Sequence, residues 1–582
     1  MLTTGNGTFL RNGEAHQIIS GAIHYFRVDP SLWRDRLLRL RALGLNTVET
    51  YVAWNFHERR IGEFDFTGPR DLAAFITIAG EVGFDVIVRP GPYICAEWDF
   101  GGLPAFLVAE PMDLRTRDPR YLAHVDRWLD AVVPVFAPLL SSRGGPVVAV
   151  QVENEYGSFG SDKAYLEHVR AGLEARGVDV MLFTTDGGGP DWQHNGTLPG
   201  LLSTATFGSR VEESFGYLRE VQPEGPDMCM EYWNGWFDHW GEEHHTRSPE
   251  DTAAVLDEML TRGASVNFYM AHGGTNFGLW NGCNQEDGIL QPTVTSYDYD
   301  AAVGEAGDLG AKFAAFREVL ARHTGTTPPE PPPLPARLEP AASDITEWAA
   351  LRDHLDLFDD PVEGPHPAWQ EDLGADHGLV HYRGSTWVPH DGRDLVLVEL
   401  RDRATVLVDG EYRATFDRND GEARLPLLPR PDGTPLDIEV IVENQGRTNF
   451  GPAVGERKGL GGVRLGQRWI HGWSSRALRI DDEGWTDGVR WGADRPATQG
   501  PLLARTTIEV DAPADGFIAL PGWGKGFVWL NGRLLGRYWE VGPQVTLYAP
   551  AAWWRAGSNE LVVCEMLSAG DRIGLRAGHE LG

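Results

Sequence analysis

The chain has 582 residues and a formal charge of −33. It is too long for one core and too acidic to favour nucleic acid or an anionic membrane as partner. Its four cysteines, Cys95, Cys229, Cys283 and Cys564, are widely spaced without a C-x-x-C pair, which argues against a disulfide framework or a zinc knuckle.

The N-terminal stretch MLTTGNGTFLRNGEAHQ has no basic region followed by an apolar one, and no run is long enough to span a bilayer. A soluble, cytoplasmic protein is expected. Residues 18–26, IISGAIHYF, read as a first strand. Asp29-Pro30 looks like an N-cap with Pro at the first helical position, and Trp33, Leu37 and Leu40 follow at helical spacing up to Gly44. Strands are then expected at 47–54, 85–93, 147–155, 181–186, 203–207, 228–233 and 265–270. Helices are expected at 72–82, 119–140, 162–175, 249–262 and 309–321. Strands alternating with helices imply a parallel sheet, and eight strands fit a closed (β/α)8 TIM barrel over residues 1–325. No G-x-G-x-x-G follows the first strand, which lowers a dinucleotide-binding reading.

Residues 326–335, TTPPEPPPLP, form a Pro-rich linker that extends to about 337. Beyond it the strands become short and alternating. Asp409-Gly410 follows 404–408, and Asn531-Gly532 follows 527–530; both pairs favour type I′ hairpin turns. Each hairpin is followed about thirty residues later by another alternating run, at 437–442 and 560–563. This pattern predicts a repeated unit and two all-β sandwich domains, at 338–485 and 486–582. Trp523, Trp529 and Trp539 are expected to serve the cores of these domains rather than to bind sugar independently.

Two acids stand at the C-terminal ends of predicted barrel strands, where parallel α/β barrels carry their chemistry. Glu155 closes VVAVQVENE (147–155), and Glu231 lies in MCMEYW (228–233). Paired carboxyl groups can cleave a glycosidic bond with retention. One protonates the leaving oxygen, and the other attacks the anomeric carbon. Ionised Glu231 would raise the pKa of Glu155 and so keep the acid protonated until the glycosyl-enzyme forms. Asn154 could donate to a sugar 2-hydroxyl. Tyr232, Trp233 and Trp236 surround Glu231 with aromatic surface. A solvated Glu at a loop start is the plain alternative for each acid.

The segments HYFRVDPSLWRDRL (24–37), ETYVAWNFHE (49–58), RPGPYICAEWDFGGLPAFL (89–107), VQVENEYGSFG (150–160), MEYWNGWFDHWG (230–241), HGGTNFG (272–278) and TSYDYDA (295–301) resemble glycoside hydrolase family 35, the retaining β-galactosidase family. RTNFGP (447–452) and GRYWEVGPQ (536–544) carry the resemblance into the β domains, which it implies are jelly-roll, galactose-binding-like units. The resemblance implies Glu155 as acid/base and Glu231 as nucleophile. It implies galactose contacts from Tyr51, Cys95, Ala96, Glu97, Asn154 and Tyr299, with backbone groups contributing at Cys95 and Ala96. Glu97 would accept from sugar hydroxyls; pairing with Arg89 is its alternative. Trp233 and Leu279 stand where some members have Tyr. Trp233 with Trp236 suggests a stacked leaving-group sugar and a β-1,3 linkage. The scheme needs no cofactor and no metal, although His24, His57, His239, His244 and His245 raise the question. The expected partner is a β-galactoside glycan, with a homodimer as a further option. An exo-β-glucosaminidase on the same scaffold and a non-catalytic sugar-binding protein are the alternatives.

Overall fold

A computed structural model describes residues 1–497 and 500–582. Eight parallel strands close into a barrel: β1 (Ile19–Ala22), β2 (Thr47–Tyr51), β3 (Asp85–Arg89), β4 (Val147–Gln151), β5 (Met181–Gly187), β6 (Leu202–Phe207), β7 (Met228–Trp233) and β8 (Ser265–Tyr269). Each is followed by a helix: α1 (Trp33–Leu43), α2 (Leu72–Val82), α3 (Pro119–Phe136), α4 (Lys163–Ala175), α5 (Pro190–Gly196), α6 (Val211–Val221), α7 (Pro249–Thr261) and α8 (Ala311–Thr324). The strand interiors are apolar and β-branched, as strands covered on both faces require.

The helix ends follow local signals. The Asp71 and Asp162 side chains accept backbone N–H groups at the starts of α2 and α4, and Gly44 and Gly83 close α1 and α2 at φ 114° and 93°. Asp29 accepts from the Ser31 N–H at 3.0 Å, but it caps a short 3-10 turn, Pro30–Leu32, that runs into α1. At the N-terminal end of the barrel, strands Leu2–Gly5, Thr8–Arg11 and Glu14–His16 form a small sheet. Its Leu2 and Phe9 pack on Ile87, Val148, Phe183 and Met230 and so cover that end.

Several strands are shorter than the pattern predicts. The first stops at Ala22, and residues 25–27 form a 3-10 turn. The fourth stops at Gln151, so Glu155 lies in a loop beyond the strand rather than at its last position. Glu153 (φ 58°) and Glu155 (φ 44°) are left-handed, which is incompatible with a continuing strand.

The Pro-rich linker lies on the barrel. Arg39 of α1 donates to the Pro333 carbonyl at 2.7 Å, and Arg317 of α8 donates to that of Pro328 at 2.9 Å. The remaining chain forms two pairs of antiparallel sheets. In the middle unit, strands β9 (Leu379–Thr386), β10 (Arg403–Val408), β11 (Glu411–Asp417) and β12 (Leu436–Glu443) lie in the order β9-β12-β10-β11. In the last unit, β13 (Leu502–Val510), β14 (Lys525–Leu530), β15 (Arg533–Trp539) and β16 (Gly557–Glu565) lie in the order β13-β16-β14-β15.

The two orders correspond strand for strand. Both hairpins turn on consecutive left-handed residues, Asp409-Gly410 (φ 53°, 79°) and Asn531-Gly532 (φ 51°, 80°). Both also shift register just before the turn, at Val406/Leu407 and Val528/Trp529. The repeat read from the sequence is therefore present in the topology. Trp523 and Trp529 are buried in apolar clusters. One pairing departs from chain order. Strands Ala342–Asp344 and Glu347–Ala350 fall by position in the expected 338–485 unit, yet they pair with Arg572–Arg576 and with β13 in the last one. Among the described residues, no helix is long and apolar enough to cross a membrane.

Candidate active site

Parallel strands bring their C-terminal ends to one rim. Tyr51 is the last residue of β2, and Arg89 is the last of β3. Glu231 and Trp233 lie in the final half of β7, and Tyr269 ends β8. The loops beyond the strands add the rest. All ten residues singled out from the sequence, Tyr51, Cys95, Ala96, Glu97, Asn154, Glu155, Glu231, Trp233, Trp236 and Tyr299, line one cavity of about 260 Å³. The left-handed backbone concentrates here, at Cys95, Ala96, Glu97, Glu153, Glu155 and Tyr299. Such conformations cost about 1–3 kcal/mol each and persist only where the surroundings fix them.

The two acids sit in different settings. Glu231 Oε1 accepts from Arg89 Nη2 at 2.8 Å and lies 2.7 Å from the Tyr51 hydroxyl, while Oε2 accepts from the Trp233 indole N–H at 3.2 Å. Among the described residues, no cation forms an ion pair with Glu155. Its Oε1 accepts from the Thr206 hydroxyl at 3.2 Å. Burial pushes the Glu155 carboxyl up to about 8, and the charge of Glu231 adds to that shift, while Arg89 works against it. Desolvation is thus a larger cause than the charge of Glu231 expected from the sequence.

Glu49 of β2 lies beneath this pair, fully buried, and is pushed up to about 7 by desolvation. Among the described residues, Arg89 is the one cation in contact with Glu231, and it also donates to Asn154 Oδ1 at 2.7 Å.

The Asn154 side-chain oxygen also accepts from Gln151 Nε2 at 3.1 Å and lies 2.9 Å from the Tyr51 hydroxyl. These contacts orient the amide so that Nδ2 donates to the Ile94 carbonyl at 3.2 Å, with a second N–H left for another acceptor. The Tyr51 hydroxyl, a galactose contact by resemblance, lies within donating reach of both Glu231 and Asn154.

Glu97 accepts from the Tyr297 hydroxyl at 2.5 Å, and Arg89 pairs with Glu231 and Glu49 rather than with Glu97, so the structural alternative for Glu97 does not form. Burial pushes Glu97 up to about 7. The Ala96 carbonyl is taken by Arg27, whose guanidinium lies 3.7 Å from the centre of the Tyr297 ring. Burial, then the charge of Glu97, pushes the Cys95 thiol well up, so it is not a poised nucleophile. No hydrogen-bond partner among the described residues engages the Tyr299 hydroxyl.

Trp236 is 39% exposed and meets Trp233 edge-on at 5.8 Å. Sequence reasoning missed other members of the cavity wall, among them Trp192, Tyr269, Asn284 and Phe450. Phe450 comes from the middle β unit. Its segment docks on the barrel where the Tyr93 hydroxyl donates to the Asn449 carbonyl and Asn449 Nδ2 reaches Cys95 Sγ at 3.6 Å. RTNFGP was the available signal, but nothing local in it says that its Phe reaches a site built by the barrel loops of an earlier domain.

The histidines are engaged elsewhere. His244 and His245 both contact Asp238, at 2.7 and 3.0 Å, and His239 contacts Glu242 at 2.9 Å. His24 stacks on Phe26, and His57 meets the Tyr25 hydroxyl. Among the described residues, ligand atoms converge as a metal would need only at Asp376, His377 and Asp481. There Arg59 already bridges the two carboxylates at 2.7 and 2.6 Å, so an arginine fills the place of a cation.

Residues 8–323 match the family model described as glycosyl hydrolases family 35. Residues 367–479 match the beta-galactosidase first all-beta domain, and 501–559 the beta-galactosidase galactose-binding domain. The chain is 41% identical to a beta-galactosidase of Xanthomonas manihotis over 94% of this chain and 92% of that protein. It is 40% identical to a beta-galactosidase of Bos taurus over 93% of this chain and 86% of that one. Among solved structures, a beta-galactosidase from Marinomonas ef1 aligns with a TM-score of 0.38 at 12% identity, covering 53% of this chain and 60% of that one.

Proposed function

The chain belongs to glycosyl hydrolases family 35, and from that premise we propose that it is a β-galactosidase that removes terminal β-D-galactosyl residues with retention of configuration. Glu231 is the nucleophile and Glu155 the acid/base. The observation that most supports this assignment is the contrast between the two carboxyl groups in one cavity. Among the described residues Glu155 is buried without a cation beside it, which pushes its carboxyl up to about 8, whereas Glu231 is paired with Arg89.

In the first step a Glu231 oxygen attacks the anomeric carbon. The glycosidic bond breaks, and its electron pair leaves on the bridging oxygen, which takes the proton of Glu155. Glu231 is then an ester and has lost its charge. The second contribution to the Glu155 shift disappears with it, and the carboxylate of Glu155 can take a proton from water. The resulting hydroxide displaces Glu231 and releases galactose with its original anomeric configuration. Asn154 Nδ2, which keeps one N–H beyond its bond to the Ile94 carbonyl, donates to the sugar 2-hydroxyl in this reading. Glu97 and Tyr299 offer an acceptor and a hydroxyl to the remaining ones. Trp233 and Trp236 form the surface for the first leaving-group sugar, and a β-1,3 linkage is the proposed preference.

Galactosyl-β-1,3, β-1,4 and β-1,6 disaccharides, followed by proton NMR of the first product, test the whole reading. Release of β-galactose first, fastest from the β-1,3 compound, is expected. First appearance of the α-anomer would overturn the mechanism, and no release of galactose would overturn the activity.

A further inference from the structure

Three large aromatic side chains around the cavity remain substantially open to solvent. Trp236 is 39% exposed, Phe450 40% and Trp192 44%. Scattered exposed aromatics need no explanation, but three converging on one cavity from a loop after β7, the middle β unit and α5 do.

Trp192 is the one held most deliberately. A Cβ at Gly187 would lie 2.2 Å from its Cε3, so the ring rests on bare backbone that only glycine provides. Its own carbonyl abuts Gly157, where a Cβ would come within 1.9 Å. The short helix α5 is tied at its middle and at its C-terminal end. Gln193 Nε2 donates to the Asp186 carbonyl at 2.8 Å, and Lys163 Nζ donates to the carbonyls of His194, Asn195 and Thr197 at 2.5–2.8 Å. An ordered but exposed ring on an anchored element is a preorganised surface rather than a piece of core.

The chemistry of the proposed reaction says what this surface faces. The general acid protonates the bridging oxygen, so groups packed beside it lie on the leaving-group side. Gly157 is two residues past Glu155. Trp192 therefore flanks the leaving group, separated by β6 from Trp233 and Trp236, and it is the most exposed of the cavity's aromatic rings.

We propose that Trp192 is a stacking platform for the second sugar of the leaving group, so that the protein is built for galactose-terminated oligosaccharides of three or more units. This rests on the β-galactosidase reading, and the test separates the two. kcat/KM is measured on a nitrophenyl β-galactoside, a galactosyl disaccharide and the trisaccharide that extends it, for the wild type, Trp192→Ala and Trp192→Phe. The wild type is expected to favour the trisaccharide over the disaccharide. Trp192→Ala should lower the trisaccharide-to-disaccharide ratio about tenfold, as loss of the apolar contact of one sugar face on the ring would, and Trp192→Phe should restore most of it. Taking a ratio cancels any loss of folded protein. A ratio within twofold of wild type in Trp192→Ala would overturn the platform, as would equal loss on disaccharide and trisaccharide. Failure of the wild type on the nitrophenyl galactoside would instead sink the activity on which the platform depends.

Discussion

The guanidinium of Arg89 lies 2.8 Å from the carboxylate of Glu231, across the barrel mouth from β3 to β7. The same guanidinium holds the Asn154 side-chain oxygen at 2.7 Å, so one buried cation positions both a proposed nucleophile and the residue next to the proposed acid.

Arg89→Met removes that positioning. A loss of about 10²–10³ in kcat is expected, the range for deleting one preorganised charged donor. A purely structural role would not change the pH profile, but this substitution should. Arg89 lowers the pKa of Glu155, so its removal should move the alkaline limb of kcat/KM to higher pH. Steady-state rates between pH 4 and 10 read both effects.

In the wild type, the working form of Glu155 is the protonated one. Its pKa is raised to about 8, so activity should fall roughly tenfold per pH unit above that value. In Glu155→Gln this limb should vanish. The residual rate should be far higher for a nitrophenyl galactoside than for a disaccharide, since an activated leaving group needs no proton. A residual rate with the wild-type alkaline limb would remove Glu155 from its role.

The same shift affects stability. A carboxyl whose pKa rises from 4.5 unfolded to about 8 folded binds its proton more tightly in the native state. Its cost to stability is absent below about pH 4.5, grows as pH rises and levels off above about pH 8. Glu155→Gln should therefore melt above the wild type at pH 9, with the gap closing toward pH 4.5. Calorimetry at the two pH values measures it. A gap independent of pH would show that ionisation is not its source.

At the junction with the middle β unit, Arg447 pairs with Glu371, and its backbone N–H donates to Asp99 at 2.8 Å. Both acids are buried. Arg447→Met removes the nearer of two cations on Glu371, leaving Arg457 at 3.5 Å, and should cost at most about 3–5 kcal/mol. The double variant Arg447→Met with Glu371→Gln should recover part of that loss. Denaturant titration of the single and double variants reads the coupling, and additive losses would mean that the pair contributes nothing.

Much of this architecture was legible in the chain. The barrel helices and strands announce themselves by 3.6-residue and buried-strand patterns, and the Asp-Gly and Asn-Gly turns by backbone chemistry that few other pairs satisfy. The two acids were legible because a parallel strand's end fixes where its side chains emerge. The left-handed turn that lifts Glu155 off β4 was not, because Glu153 and Glu155 carry no local preference for that conformation and are held there by tertiary contacts. Nor were the hydroxyl of Tyr51 bound to Glu231, or Phe450 in the cavity wall. These depend on distances across the barrel mouth and between domains, which spacing along a sequence does not encode.

The interleaving of the two sandwiches has a consequence during synthesis. Strands Ala342–Asp344 and Glu347–Ala350 leave the ribosome well before their partners, β13 and Arg572–Arg576. About 150 residues separate Ala350 from Leu502, which at roughly 5–20 residues per second is a wait of about 8–30 s. Throughout that interval the nascent polypeptide carries two orphan β segments beside a finished barrel, and a neighbouring sheet of near-identical topology is forming with edges able to capture them.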